Sequence, residues 1–236
     1  MIHRFYLSQK LDKDLIMIKD KAIVHQMTRV LKLRKGEAVV FFNTNPDDAG
    51  ADVVAELKNI QGNTAMFLVR DRIENLRESK KKLTLYCALI KKEKFEWVLQ
   101  KGTEVGVTEF VPILVARSEK KNVNIDRCED ILKEASEQSG RVIIPALHSV
   151  MPLEKALEEA RMDGTKNYFA DTRERENMIR GAGDRANSLF IGPEGGWDDK
   201  ELFLAARANC EMVSLGRLIL RAETAAITAS YTLLWG

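Results

Sequence analysis

Ser188-Leu189-Phe190-Ile191-Gly192-Pro193-Glu194-Gly195-Gly196 and, further on, Leu215-Gly216-Arg217-Leu218-Ile219-Leu220-Arg221-Ala222-Glu223-Thr224-Ala225 decide the fold. Each reads as a strand that stops at a glycine and hands over to a helix. In an open α/β sheet, ligands bind beyond such carboxyl ends of strands. Three glycines in five residues permit positive φ and close approach of backbone to a ligand. A tight connection would account for the glycines, but not for the charge of Glu194. Asp198 with Glu201 three residues on is a capping box that opens the next helix. No Gly-Lys-Ser/Thr follows the glycines, so this is not a Walker loop. In the second segment, Glu223 suits a first helical turn through the helix dipole. Arg221 is a guanidinium among apolar neighbours at a helix start, a setting that calls for an anionic partner.

Working outward, residues 83–236 alternate strand and helix. Expected strands are Leu83–Ile90, Phe110–Ala116, Ile143–His148, Asn167–Asp171, Ser188–Ile191 and Met212–Leu215. Expected helices are Lys92–Val105, one opening at Asp126, Leu153–Met162, Asp198–Asn209 and one from Ala222. Such alternation implies a parallel sheet covered by helices. Residues 1–72 differ, with strands expected at Arg4–Leu7, Ala38–Asn43, Ala51–Ile60 and Thr64–Asp71, and a turn at Asn43–Gly50. One helix follows Asp20, with Ile23, Val24, Met27, Val30 and Leu31 at helical spacing. Several strands and one helix suggest a small barrel. Residues 73–82 are polar and read as the linker between two domains, 1–72 and 83–236.

Composition places the chain among ordinary globular proteins: 236 residues, 45% apolar and 31% charged. No apolar run approaches the roughly 20 residues that span a bilayer. The opening Met1-Ile2-His3-Arg4-Phe5-Tyr6 lacks the order of a signal peptide, and Cys87, Cys128 and Cys210 form no disulfide framework. The cytoplasm is the expected compartment. A formal charge of +2 hides an asymmetry: residues 1–82 carry 16 Lys/Arg against 11 Asp/Glu, and residues 83–236 carry 21 against 24. A basic N-terminal part fits a module that faces nucleic acid. His3, His25 and His148 are scattered, with no ligand cluster at metal spacing, so no metal is expected.

Several stretches together resemble the bacterial 16S rRNA uridine-N3 methyltransferases, the small-subunit methyltransferase E family of the SPOUT superfamily. They are His3-Arg4-Phe5, His25 with Arg29-Val30-Leu31-Lys32-Leu33-Arg34-Lys35-Gly36-Glu37, Lys101-Gly102-Thr103-Glu104-Val105-Gly106-Val107, Glu134 to Arg141, and the two glycine segments. The resemblance covers nearly the whole chain. Leu218 stands where the family usually has an arginine, Lys32 where it often has Arg, and Gly102 where it often has Ala. The resemblance implies an α/β fold: a knotted, parallel-sheet methyltransferase domain, with a PUA-like β-barrel at the N-terminus that binds RNA. It implies S-adenosylmethionine bound by Leu189, Ile191, Gly192, Pro193, Gly195, Gly196, Leu215, Gly216, Leu220, Ala222, Thr224 and Ala225. It also implies RNA contacts from Arg4, Arg29, Lys32, Arg34, Gln138 and Arg141, a homodimer through the knot region, and 16S rRNA of the small ribosomal subunit as substrate. A knotted methyltransferase of another RNA, or an RNA-binding assembly factor without catalysis, stays open beside this reading.

The implied reaction sets its own requirement. Uridine N3 carries a proton and is a poor nucleophile until that proton leaves, so the site needs a proton acceptor or donors that stabilise the anion. Arg221 can serve the anion, and Glu223 or Glu194 can take the proton. Among the tryptophans, Trp197 beside the glycine loop is the one placed to matter.

Overall fold

The computed structural model describes residues 2–45, 50–183 and 186–236; residues 46–49 of the expected turn lie outside them. The chain divides into two compact units, Met1–Glu78 with Ser136–Ile143, and Ser79–Ala135 with Ile144–Gly236.

In the first unit β1 (Arg4–Tyr6), β2 (Leu15–Ile18), β3 (Ala38–Phe42), β4 (Ala51–Gln61) and β5 (Thr64–Glu74) form one sheet in the order β1-β3-β4-β5-β2. The pairs are antiparallel except β1 with β3. Their inward residues Phe5, Phe41, Leu57 and Phe67 are buried together, and Phe41 meets Phe67 edge-on at 4.9 Å. Strand β2 is absent from the sequence reading. All four of its residues are apolar, which hides the period of two that shows only in burial: Ile16 and Ile18 inward, Leu15 and Met17 outward. Asp20 caps α1 (Lys21–His25), accepting from the Ala22 and Ile23 amides. The helix then widens into a π turn over Gln26–Val30 that buries Met27, and the chain leaves it through Lys32 at φ +53°.

Arg4 anchors this unit. Its guanidinium pairs with Asp52 at 2.5 Å, donates to the Ser136 and Arg141 carbonyls, and lies 4.4 Å above the Phe42 ring. Arg141 is likewise buried, with Nη2 3.0 Å from Glu78 Oε2. Strand β5 runs to Glu74, into the stretch read as linker, because Asp52 and Ala51 of β4 continue to pair with Ile73 and Glu74.

The second unit holds β6 (Leu83–Ala88), α2 (Lys92–Val105), β7 (Glu109–Leu114), most of α3 (Ile125–Ser139), β8 (Ala146–Leu147), β9 (Met151–Pro152), α4 (Leu153–Met162), β10 (Lys166–Ala170), β11 (Asn187–Ile191), α5 (Asp199–Arg207), β12 (Glu211–Val213) and α6 (Ala222–Trp235). The sheet is parallel throughout, in the order β12-β10-β11-β6-β7-β8, with β9 also on β7. Buried strands of a parallel sheet read as continuous apolar runs, and Asn187–Ile191 is buried at all five positions. Two apolar layers flank the sheet. One packs α2, α3 and α6 against it through Phe95, Leu99, Leu132 and Ala226; the other packs α4 and α5 through Leu157, Ala160 and Ala205.

The expected capping box is formed. Asp198 accepts from the Glu201 amide, and Glu201 Oε2 accepts from the Asp198 amide, both at 2.8 Å. The other carboxylate oxygen of Glu201 accepts from the Ala116 amide at 2.7 Å, joining the end of β7 to α5. Glu201→Ala removes the two bonds that the carboxylate accepts, at a buried position, and leaves the Asp198 side chain its bond from the backbone amide. It is expected to cost about 2–3 kcal/mol in urea unfolding; an unchanged midpoint would show that water replaces the carboxylate.

Candidate active site

The carboxyl ends of β10, β11 and β12 carry three loops that close around a cleft of about 250 Å³. The first wall is Ala170, Asp171, Thr172 and Arg175; the second is Ile191 to Trp197; the third runs from Ser214 to Ala225.

Each wall has a local cause. Trp197 donates from Nε1 to the Ala170 carbonyl at 2.8 Å and lies 4.2 Å from the Phe169 ring, so the second loop is tied to the end of β10. A Cβ on Gly192 would lie 2.8 Å from the indole Cε2, so only glycine fits beneath the ring. Gly196 at φ +70° and Gly216 at φ +122° adopt backbone that side chains disfavour. Arg117 donates to the Gly195 carbonyl at 2.5 Å. Arg173 holds the first loop to the second by pairing with Asp171 and Asp199, both at 3.0 Å. Beyond it, Asn177–Ile179 runs along β12: Ser214 donates to the Asn177 carbonyl and accepts from the Ile179 amide.

A charged cluster stands at one rim. Lys94, in the first turn of α2, donates to Glu194 Oε1 at 2.7 Å and lies 3.7 Å from Glu223 Oε1. The other oxygen of Glu223, Oε2, is buried and has no hydrogen-bond partner among the described residues. Burial alone would raise the Glu194 carboxyl. The hydrogen bond from Lys94, its own backbone N–H and the charges of Lys94 and Lys91 outweigh that and hold it below the usual range. The bond to Glu194 raises the Lys94 ammonium against its own desolvation. Cys87, buried nearby, is pushed up to about 12 by burial and then by the two glutamates, so it stays a neutral thiol. Arg221 caps α6 through backbone alone; its side chain is exposed and makes no hydrogen bond or ion pair among the described residues.

A family model described as an RNA methyltransferase domain matches residues 77–234. The ribosomal RNA small subunit methyltransferase E of Synechocystis is 32% identical over 88% of this chain and 69% of its own length. The chain belongs to the ribosomal RNA small subunit methyltransferase E family. The Rickettsia conorii member is 29% identical over 96% of this chain and 93% of its own. The crystal structure of the Neisseria gonorrhoeae member, bound to S-adenosyl methionine, superposes with a TM-score of 0.85 at 27% identity, covering 98% of this chain and 95% of that one.

In this member of the methyltransferase E family, ten of the residues expected at the cofactor line the cleft: Ile191, Gly192, Pro193, Gly195, Gly196, Leu215, Gly216, Leu220, Ala222 and Ala225. Leu189 lies one turn of the pleat below, in the core, and Thr224 stands outside the lining. Glu194 is in the lining, while Arg221 and Glu223 flank it. The sequence reading missed the whole first wall, as well as Ser214 of the third. It also missed Lys94, which no local pattern links to a glutamate 100 positions away. The expected RNA residues divide by burial. Arg29, Lys32, Arg34 and Gln138 are exposed, whereas the guanidinium groups of Arg4 and Arg141 are buried and engaged inside the first unit. Those two, for which the resemblance implies RNA contacts, hold structure within that unit.

Proposed function

We propose that this chain transfers a methyl group from S-adenosylmethionine to N3 of a uridine in small-subunit rRNA. The observation that carries this reading is the cleft at three strand ends, rimmed by two carboxylates, a lysine and an exposed arginine. The residues fit the methyl donor. Ile191, Leu215, Leu220, Ala222 and Ala225 give apolar walls for an adenine, the glycine turns let backbone approach its edge closely, and Asp171 and Glu194 place negative charge at the cleft for a sulfonium and an ammonium. When bound, S-adenosylmethionine supplies an electrophilic methyl whose bonding pair leaves with sulfur. The chain's own residues have three tasks: to hold the uracil in line, to accept the N3 proton, and to stabilise charge on O2 and O4. Arg221 suits the last task, since its guanidinium has no competing partner among the described residues.

The first unit serves as a PUA-like RNA-binding barrel in this reading. The π turn and the left-handed Lys32 display Arg29, Lys32 and Arg34 on one exposed segment, and strained backbone of this kind gathers at functional sites. In this reading the second unit is a trefoil knot, and three observations support it: β11 lies between β6 and β10, α6 packs on α2, and Ala182 donates to the Leu233 carbonyl. Helix α6 is apolar nearly all round, as helices covered on every side are, yet Tyr231, Trp235 and Trp97 of α2 are exposed. These surfaces support a homodimer. Among the described residues no helix is long and apolar enough to cross a membrane, and the compartment proposed is the cytoplasm, where the substrate lies. Incubation with methyl-labelled S-adenosylmethionine and separated RNAs tests the reading. Label is expected in small-subunit rRNA; label confined to tRNA or large-subunit rRNA, or none with any RNA, would overturn it.

A further inference from the structure

We propose that Lys94 sorts the two rim carboxylates into different tasks: it fixes Glu194 as a counter-ion and leaves Glu223 to accept the proton from the substrate. The inference rests on the functional reading above and settles which of its two candidate bases acts.

The two glutamates meet Lys94 unequally. Glu194 takes a full hydrogen bond at 2.7 Å on Oε1. Glu223 lies 3.7 Å from the same ammonium, close enough for attraction and too far for a hydrogen bond. Its Oε2 has no partner among the described residues, although the side chain is only 13% exposed. A buried acceptor left unpaired is costly, so its persistence at a ligand-facing rim points to a donor that the substrate brings. The N3–H of a uracil is such a donor. In the step, the N–H bond breaks, an O–H bond forms on Glu223, and the electron pair stays on N3. Glu194 is the poorer acceptor because its negative charge is already satisfied by Lys94 and by a backbone N–H.

The groups facing Glu223 come from four elements. They are Lys94 from α2, Glu194 from the loop after β11, Arg221 at the start of α6, and the neutral thiol of Cys87 on β6; Lys91 acts on Glu194. Their charges give variants of opposite sign. Lys94→Met removes a cation and leaves Glu194 as an unscreened anion, so protonation of Glu223 becomes easier. Glu194→Gln removes an anion and frees Lys94 for Glu223, so protonation becomes harder.

The experiment measures kcat against pH for wild type, Lys94→Met, Lys94→Arg, Glu194→Gln and Glu223→Gln, and follows the Glu223 carboxyl by 13C NMR titration in the cofactor-free protein. Glu223→Gln is expected to lower kcat by about 10²–10⁴-fold with cofactor affinity within a few-fold. The acid limb and the NMR midpoint move up together in Lys94→Met, return in Lys94→Arg, and move down in Glu194→Gln. If Glu194→Gln abolishes the acid limb and Glu223→Gln keeps it, the assignment is reversed and the proposal fails. An NMR midpoint indifferent to Lys94 also overturns it. The NMR arm needs no turnover, so it stands even if the wild type methylates no RNA, a result that would instead refute the functional reading.

Discussion

Arg221→Ala is expected to lower kcat for methyl transfer by about 10²–10³-fold, the usual effect of removing one preorganised donor to a developing anion. Cofactor affinity should stay within a few-fold, because Arg221 flanks the cleft without lining it. Stability should hardly move. The residue caps α6 with backbone at φ −65° and ψ 152°, which alanine adopts freely, and no side-chain capping bond is lost. The guanidinium has no partner among the described residues, so nothing buried is left unpaired by its removal. The assay is single-turnover methyl transfer with saturating cofactor, beside calorimetric titration of S-adenosylmethionine. Full activity would take Arg221 out of the mechanism. Equal loss of affinity and rate would move it into the cofactor site.

Gly192→Val should act on the other half of the site. The new Cβ falls 2.8 Å from Trp197 Cε2, and the indole cannot retreat. It lies against Phe169 on one side and is held by Nε1 to the Ala170 carbonyl. Overpacking of this kind typically costs about 1–3 kcal/mol, and relief must come from moving the second wall. Cofactor affinity is therefore expected to fall more than about tenfold, with a lower melting temperature, as measured by calorimetry and circular dichroism. Gly195→Val is a weaker perturbation. Its Cβ would meet Arg117 Cδ at 3.1 Å, the middle of an exposed side chain that can swing away. Unchanged affinity in Gly192→Val would mean that the glycine loop is a structural turn only.

Residue types reveal two walls of the cleft and hide the third. Gly192, Gly195, Gly196 and Gly216 announce strand ends because a glycine there has few other uses. Asp171-Thr172-Arg173-Glu174-Arg175 has no such mark. It is an ordinary polar turn, and becomes a wall only because β10 lies between β11 and β12 in the sheet. Strand order is a long-range property, and local periodicity carries no record of it. Lys94 is hidden for the same reason, since it reads as one of three lysines around the start of a helix until α2 and the glycine loop are brought together. Arg4 shows a long-range pairing of the same kind. The resemblance implies an RNA contact for it, and in the fold its guanidinium pairs with Asp52, almost fifty positions away. Helix α2 and the start of α6, by contrast, follow directly from apolar spacing and a clear break before Ala222.

Nucleoside analysis of the methylated product tests the central claim most directly. Small-subunit rRNA incubated with this protein and S-adenosylmethionine is digested to nucleosides and resolved by mass spectrometry against methyluridine standards. The account predicts 3-methyluridine, at one site, and its loss with Glu223→Gln and Arg221→Ala. A methyl group on C5 or on a ribose 2′-oxygen would contradict it, because neither product needs the N3 proton removed.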